Sequence, residues 1–291
     1  TGKSNYVAAL IAGAVKPENA EGIDTLGVSI EGNPKGKAVL FYDTEQSEVQ
    51  LYKNVSTLLR RCGRDTMPEW FKAYCLTGMS RKERLKSIVL SMDKFHYQYG
   101  GIHLVVIDGI ADLIRCANDE AESIAVVEEL YRLAGIYNTC IVTVLHFIPN
   151  GLKLRGHLGS ELQRKAAAIL SIEKDTKPAV SVVKALKVRD GSPLDVPLMQ
   201  FAWDKEKAMH AYLGEKPKEE KDRRKEEELV AVARELFSRK RFIGYMELSE
   251  ELQAAFEVKE RTAKSYIRFM REKEIIVKSP DSPNSYMLGE V

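Results

Sequence analysis

The chain has 291 residues, 44% apolar and 30% charged, a balance that excludes a disordered or fibrous protein. Its 44 Lys and Arg against 42 Asp and Glu leave a net charge of +2, which excludes a uniformly basic nucleic-acid coat, so any DNA-binding surface has to come from local segregation of charge. The four cysteines (Cys62, Cys75, Cys116 and Cys140) are widely spaced and include no C-x-x-C pair, which argues against a disulfide framework or a zinc site and for reduced thiols in a cytoplasmic protein.

In chain order, helical periodicity over 4–15 is followed by a short buried strand at 37–43 and a helix over 47–61. A strand-like run at 70–76 precedes a charged amphipathic helix at 81–99. Then come a strand at 103–107, a helix at 120–137 and a strand at 139–145. Continuous β-branched runs separated by helices predict strands covered on both faces, hence a parallel α/β sheet. After residue 165 the texture changes to close-spaced strands at 166–173, 179–188, 198–204 and 208–213, with turns at Lys177-Pro178 and Asp190-Gly191-Ser192-Pro193. These predict an antiparallel extension of the same sheet. Residues 214–228 are almost entirely charged and are expected to be a linker running into a solvated helix.

The tail, 229–291 as a domain, carries helical patterns at 226–239, 246–256 and 259–272. Two strands at 275–278 and 285–288 flank a Ser-Pro-Asp-Ser-Pro-Asn turn. Three helices and a wing are the winged-helix order. No apolar run reaches the roughly 18 residues a membrane span needs, because Asp108 interrupts the best one, so no membrane partner is expected. The stretch 6–15 has the length of a signal-peptide core, but a single lysine precedes it and no initiator Met, and it reads instead as a helix.

Chemistry enters at the first residues. Thr1-Gly2-Lys3-Ser4, running directly into a helix, is the second half of G-x-x-x-x-G-K-[ST]. Such a loop turns amides toward phosphates at a helix N-terminus whose dipole favours anions. Lys3 would reach the β/γ-phosphates of ATP, and the Ser4 hydroxyl would ligate Mg²⁺. The chain opens inside this pattern. The expectation is that the first glycine and the strand feeding the loop lie upstream, and that without them ATP binds poorly. His103-Leu-Val-Val-Ile-Asp108-Gly109 is an apolar strand ending in a carboxylate, as a Walker B strand does, with Asp108 facing the metal.

With Val39-Leu-Phe-Tyr-Asp-Thr-Glu45-Gln46 between these two elements, residues 1–213 resemble the RecA-like P-loop ATPases, most closely the RepA/DnaB-type hexameric helicase group of plasmids and mobile elements. The resemblance implies a RecA-like fold and assigns Glu45 to polarising the attacking water. It assigns His146, ending Val142-Thr-Val-Leu-His, to sensing the γ-phosphate. Lys187 and Arg189, in Lys187-Val-Arg189-Asp-Gly191, match the family's K-x-R-[ND]-G element. They would act in trans on a neighbouring subunit's ATP, which implies a homo-oligomeric ring. The loop over 149–164 would line a channel for single-stranded DNA, with Lys153 and Arg155 on its backbone. In the tail, Arg261, Lys264 and Arg268 on the third helix would grip duplex DNA. Bland readings stand beside each of these. Glu45 would then be a surface turn residue, His146 a structural histidine, 183–191 a basic hairpin, 149–164 a surface loop and the tail a protein-contact module.

The expected function is a DNA-directed motor ATPase in replication or mobilisation of a mobile element. The alternative is an ATP-switched DNA-binding or loading protein without processive unwinding. A signalling ATPase of the KaiC kind ranks third, because of the tail.

Overall fold

The computed structural model describes residues 2–20, 22–146, 156–175, 177, 179–280, 282 and 284–290. The chain forms two compact units. One comprises 1–166, 176–181 and 201–213, and the other 167–175, 182–200 and 214–291.

The first unit is an α/β layer structure. It contains α1 (Lys3–Val15), β1 (Ala38–Asp43), α2 (Glu48–Cys62), β2 (Phe71–Cys75), α3 (Arg81–Gln98), β3 (Ile102–Asp108), α4 (Glu120–Ile136), β4 (Cys140–Val144) and α5 (Gly156–Lys165). The four strands form a parallel sheet in the order β2-β1-β3-β4, as the continuous apolar runs require. Alternation along β1 and β3 divides the core in two. Leu40, Tyr42, Val105 and Ile107 join one cluster with Ile88, Met92 and Phe95 of α3 and Val126, Leu130 and Leu133 of α4. Val39, Phe41, Leu104 and Val106 join another with Val7 and Ile11 of α1 and Leu51 and Leu58 of α2.

Helix ends follow local chemistry. Ser47 caps α2 through the Gln50 amide, and Asp119 caps α4 through the Glu122 amide at 3.0 Å. Gly63 closes α2 at φ +72°, where a side chain would be strained.

The close-spaced strands are β5 (Ala168–Lys174), β6 (Val180–Val188), β7 (Met199–Asp204) and β8 (Met209–Glu215), paired in sequence order. Connections this short cannot make parallel crossovers, which need about a dozen residues, so neighbours run antiparallel. They form a sheet of their own, and among the described residues none pairs with the parallel sheet, which corrects the expected extension. A second correction concerns 149–164, read as loop throughout: Gly156–Lys165 is helical. Its glycines disguise a short amphipathic turn that buries Leu158 completely.

In the second unit, α6 (Lys218–Arg239) starts inside the charged stretch. Arg223–Glu227 and Arg224–Glu228 pairs at i,i+4 support this otherwise polar beginning. The module continues with β9 (Ile243–Gly244), α7 (Tyr245–Phe256), α8 (Glu260–Glu272), β10 (Ile276–Lys278) and β11 (Ser285–Leu288). Its three strands form an antiparallel sheet ordered β10-β11-β9. Leu229, Ala233, Leu248, Leu252, Ala263, Tyr266, Ile267 and Met270 build its core.

Among the described residues no helix is long and apolar enough to cross a membrane, and all four cysteines are free thiols.

Candidate functional site

Parallel pairing places the C-terminal ends of β1 and β3 side by side, with Asp43 opposite Asp108. Both carboxylates are buried. Asp43 Oδ1 accepts the amides of Glu45 at 3.0 Å and Gln46 at 2.9 Å, a tight turn that carries Glu45 to the surface of this edge. The Thr44 amide donates to the Asp108 carbonyl at 3.0 Å, and the Thr44 hydroxyl lies 2.8 Å from the Gly109 carbonyl. Gly109 has φ +98°, and a Cβ there would meet Thr44 Oγ1 at 2.2 Å, so the residue after Asp108 must be glycine.

The N-terminus of α1 meets this edge. Gly2 precedes it at φ +79°, pressed so closely by the Phe201 ring that a Cβ would lie 2.9 Å from it. No side chain caps the helix, and no acid occupies its first turn, so the positive end of its dipole is not neutralised from within. Lys3 Nζ lies 3.1 Å from His146 Nδ1, and His146 Nε2 lies 3.4 Å from Glu45 Oε2, the outer limit of a hydrogen bond. Ser4 hydrogen-bonds to Asp108 and receives a bond from Gln46 Nε2 at 3.3 Å. Asn54 Nδ2 in turn donates to Gln46 Oε1 at 2.9 Å. Lys3, Ser4, Glu45, Asp108 and His146, separated by up to 143 residues, thus converge on one sheet edge.

The electrostatics are unbalanced. Burial pushes the Asp108 carboxyl above its ordinary range, and the Ser4 hydrogen bond only partly offsets this, while Asp43 and Glu45 add repulsion. Burial likewise raises Asp43, against the amide bonds from Gln46 and Glu45. Among the described residues, Asp43 Oδ2 and Asp108 Oδ2 are both buried without a partner. Burial also lowers the Lys3 ammonium, opposed by the charges of Glu45 and Asp108. Two orphaned carboxylate oxygens beside a hydroxyl suit a hard divalent cation such as Mg²⁺, which takes oxygen ligands and keeps most of its waters. Among the described residues no group of three or more His, Cys, Asp or Glu is arranged to hold a metal by itself.

The other expected residues lie elsewhere. Thr1, Lys153 and Arg155 fall outside the described residues. Lys187 lies half-buried one residue before the end of β6 and Arg189 is exposed just after the strand, both in the second unit. On α8, Arg261 is exposed, while Lys264 pairs with Glu260 at 2.6 Å and Arg268 with Glu272 at 2.8 Å.

Sequence reasoning gave no role to Asp43, Thr44, Gln46 or Asn54. Asp43 ends a strand in the same manner as Asp108, and that repeated apolar-strand-to-carboxylate pattern was a usable signal. Asn54 had none, because only the α2 helix face brings it to Gln46. Searches of protein-family models and of curated proteins find no match to this chain.

Proposed function

We propose that the chain is a cytoplasmic RecA-like P-loop ATPase of the RepA/DnaB-type group, a DNA-directed motor working as a homo-oligomeric ring in replication or mobilisation of a mobile element. The observation that carries this reading is the convergence of Lys3, Ser4, Glu45, Asp108 and His146 at the uncapped end of α1. The α1 amides and the Lys3 ammonium would bind the β- and γ-phosphates of ATP. Ser4 and Asp108 would hold Mg²⁺, which when bound neutralises charge on the phosphates. Glu45, turned outward by the Asp43 amide bonds, would orient the attacking water. His146, between Lys3 and Glu45, would report phosphate occupancy to the chain that follows it. Lys187 and Arg189 would stabilise transition-state charge on a neighbouring subunit's ATP, and the planar guanidinium of Arg189 suits that task. Phosphoryl transfer asks mainly for such positioning and charge.

The order helix, strand, helix, helix, strand, strand with a three-stranded antiparallel sheet supports reading the tail as a winged-helix module that contacts DNA. Its grip would fall to exposed Arg261 together with Lys264 and Arg268, the last two already tied to acids of their own helix.

A second reading, an ATP-switched DNA-binding or loading protein, is favoured by one observation: Lys187 is engaged by Glu257 within its own chain.

Mixing subunits distinguishes the two. Arg189→Ala and Glu45→Gln proteins should each be inactive in ATP hydrolysis. Mixed together, a ring motor regains a substantial fraction of activity, because some interfaces combine an intact Glu45 with an intact Arg189. Additive inactivity would contradict shared sites and favour the switch.

A further inference from the structure

Within the second unit, the end of β6 and the chain that follows it are fastened to the C-terminal helices at several points. Lys187, with its side chain 14% exposed, is ion-paired with Glu257. Lys259 Nζ donates to Asp190 Oδ1 at 2.8 Å. Ser192 Oγ and Tyr266 Oη lie 2.6 Å apart in a buried contact. Leu194, fully buried, belongs to the same apolar cluster as Leu229, Ala233 and Tyr266. The element singled out as a trans-acting finger is therefore built into the tail's own core at its base. Its lysine is held by the turn between α7 and α8.

Glu257 occupies that turn in the left-handed region, at φ +50°, where glycine is the usual residue and a glutamate is strained. Its carboxylate reaches back from that turn to Lys187.

We propose that Glu257 is a positioning residue for the hydrolysis, a latch that withholds Lys187 from a neighbouring subunit's phosphates until the α7–α8 turn moves. The inference rests on the reading of Lys187 as a trans-acting cation. An ammonium already paired with a carboxylate offers little net charge to a phosphate, which must displace the carboxylate first. Lys259 and Glu257 lie directly before α8, so a ligand engaging α8 acts on the turn that carries the latch. The tail would thereby couple occupancy of α8 to ATP turnover, with the exposed Arg189 as the part of the finger left unlatched.

The test is ATP hydrolysis by the full natural chain carrying Glu257→Gln or Glu257→Gly, each alone and combined with Lys187→Ala. The glycine variant keeps the left-handed helix end, so a loss of fold cannot account for its behaviour. Both single variants should raise kcat without DNA by about fivefold, the range of a partly exposed ion pair. That gain should vanish when Lys187 is absent. Hydrogen exchange over 186–194 should quicken in both single variants. An unchanged kcat, unchanged exchange, or a gain that survives Lys187→Ala overturns the latch. Failure of the underlying nucleotide reading shows in the wild type alone, as absence of any turnover that Lys3→Ala removes, and the latch falls with it.

Discussion

Lys3→Ala should weaken ATP binding by about 100-fold or more and reduce hydrolysis to background, while the fold survives. The ammonium stands at the uncapped end of α1, 3.1 Å from His146, in a partly buried position. Removing one charged partner of a desolvated ionic contact typically costs about 2–5 kcal/mol, which is a factor of roughly 30 to several thousand in affinity. Nothing comparable is lost in the unliganded protein. The apolar anchors of α1 are Val7, Ile11, Ala12 and Val15, all buried and beginning one turn beyond the substitution. Thermal unfolding should shift by no more than about 2 °C, within the range of a substitution that leaves the core intact. Lys3→Arg should fail nearly as badly, since the rigid guanidinium fork does not reproduce a compact ammonium. Calorimetric titration with Mg-ATP beside a thermal scan checks both halves. Undiminished ATP affinity would remove Lys3 from the phosphate site.

Asp108→Asn should abolish hydrolysis and at the same time stabilise the unliganded protein. Burial raises the Asp108 carboxyl, and Asp43 and Glu45 raise it further. A group raised in the fold contributes most below its unfolded value and loses that contribution as pH rises through the folded one. Ionisation leaves this carboxylate buried with an oxygen that, among the described residues, has no partner, and that cost to the fold grows as pH rises. Asparagine keeps the shape and an acceptor for Ser4 without the charge. The melting temperature at pH 7.5 without metal should rise by about 2–4 °C, as expected for about 1 kcal/mol in a chain of this size. The gain should shrink on acidification, as the aspartate takes up its proton and loses the charge that burial penalises. Mg²⁺ with nucleotide should stabilise the wild type and leave the variant unaffected. A variant less stable than the wild type at neutral pH would mean that Asp108 is satisfied by contacts other than a cation. Opposed effects on stability and activity are what a strained functional site produces.

Much of this was legible in the chain. The runs at 38–43 and 102–108 are mostly apolar without alternation, as strands covered on both faces are, so a parallel sheet followed directly, with the less buried run at 140–144 at its edge. The helices of the tail were equally plain, because their apolar positions recur at helical spacing around Leu229, Leu252 and Ile267.

What escaped was non-local. Close-spaced strands announce antiparallel pairing but not which sheet they join, since that depends on edges formed by distant segments. Helix α5 hid behind Gly156 and Gly159, two residues that ordinarily break helices. The candidate site was legible where a motif concentrates it, at Lys3, Ser4 and Asp108. It was obscure where the polar groups are supplied by packing. Gln46 reaches Ser4, and Asn54 reaches Gln46, only because the β1–α2 turn and one face of α2 place them in line. Glu257 finds Lys187 across 70 positions of sequence with no pattern to betray it.

The most direct test of the central claim is steady-state ATP hydrolysis by the full natural chain, with and without single-stranded DNA, alongside Lys3→Ala. The predicted result is Mg²⁺-dependent turnover that DNA stimulates and Lys3→Ala eliminates. Turnover absent in the wild type, or equal in the two proteins, would contradict a phosphate site at the end of α1.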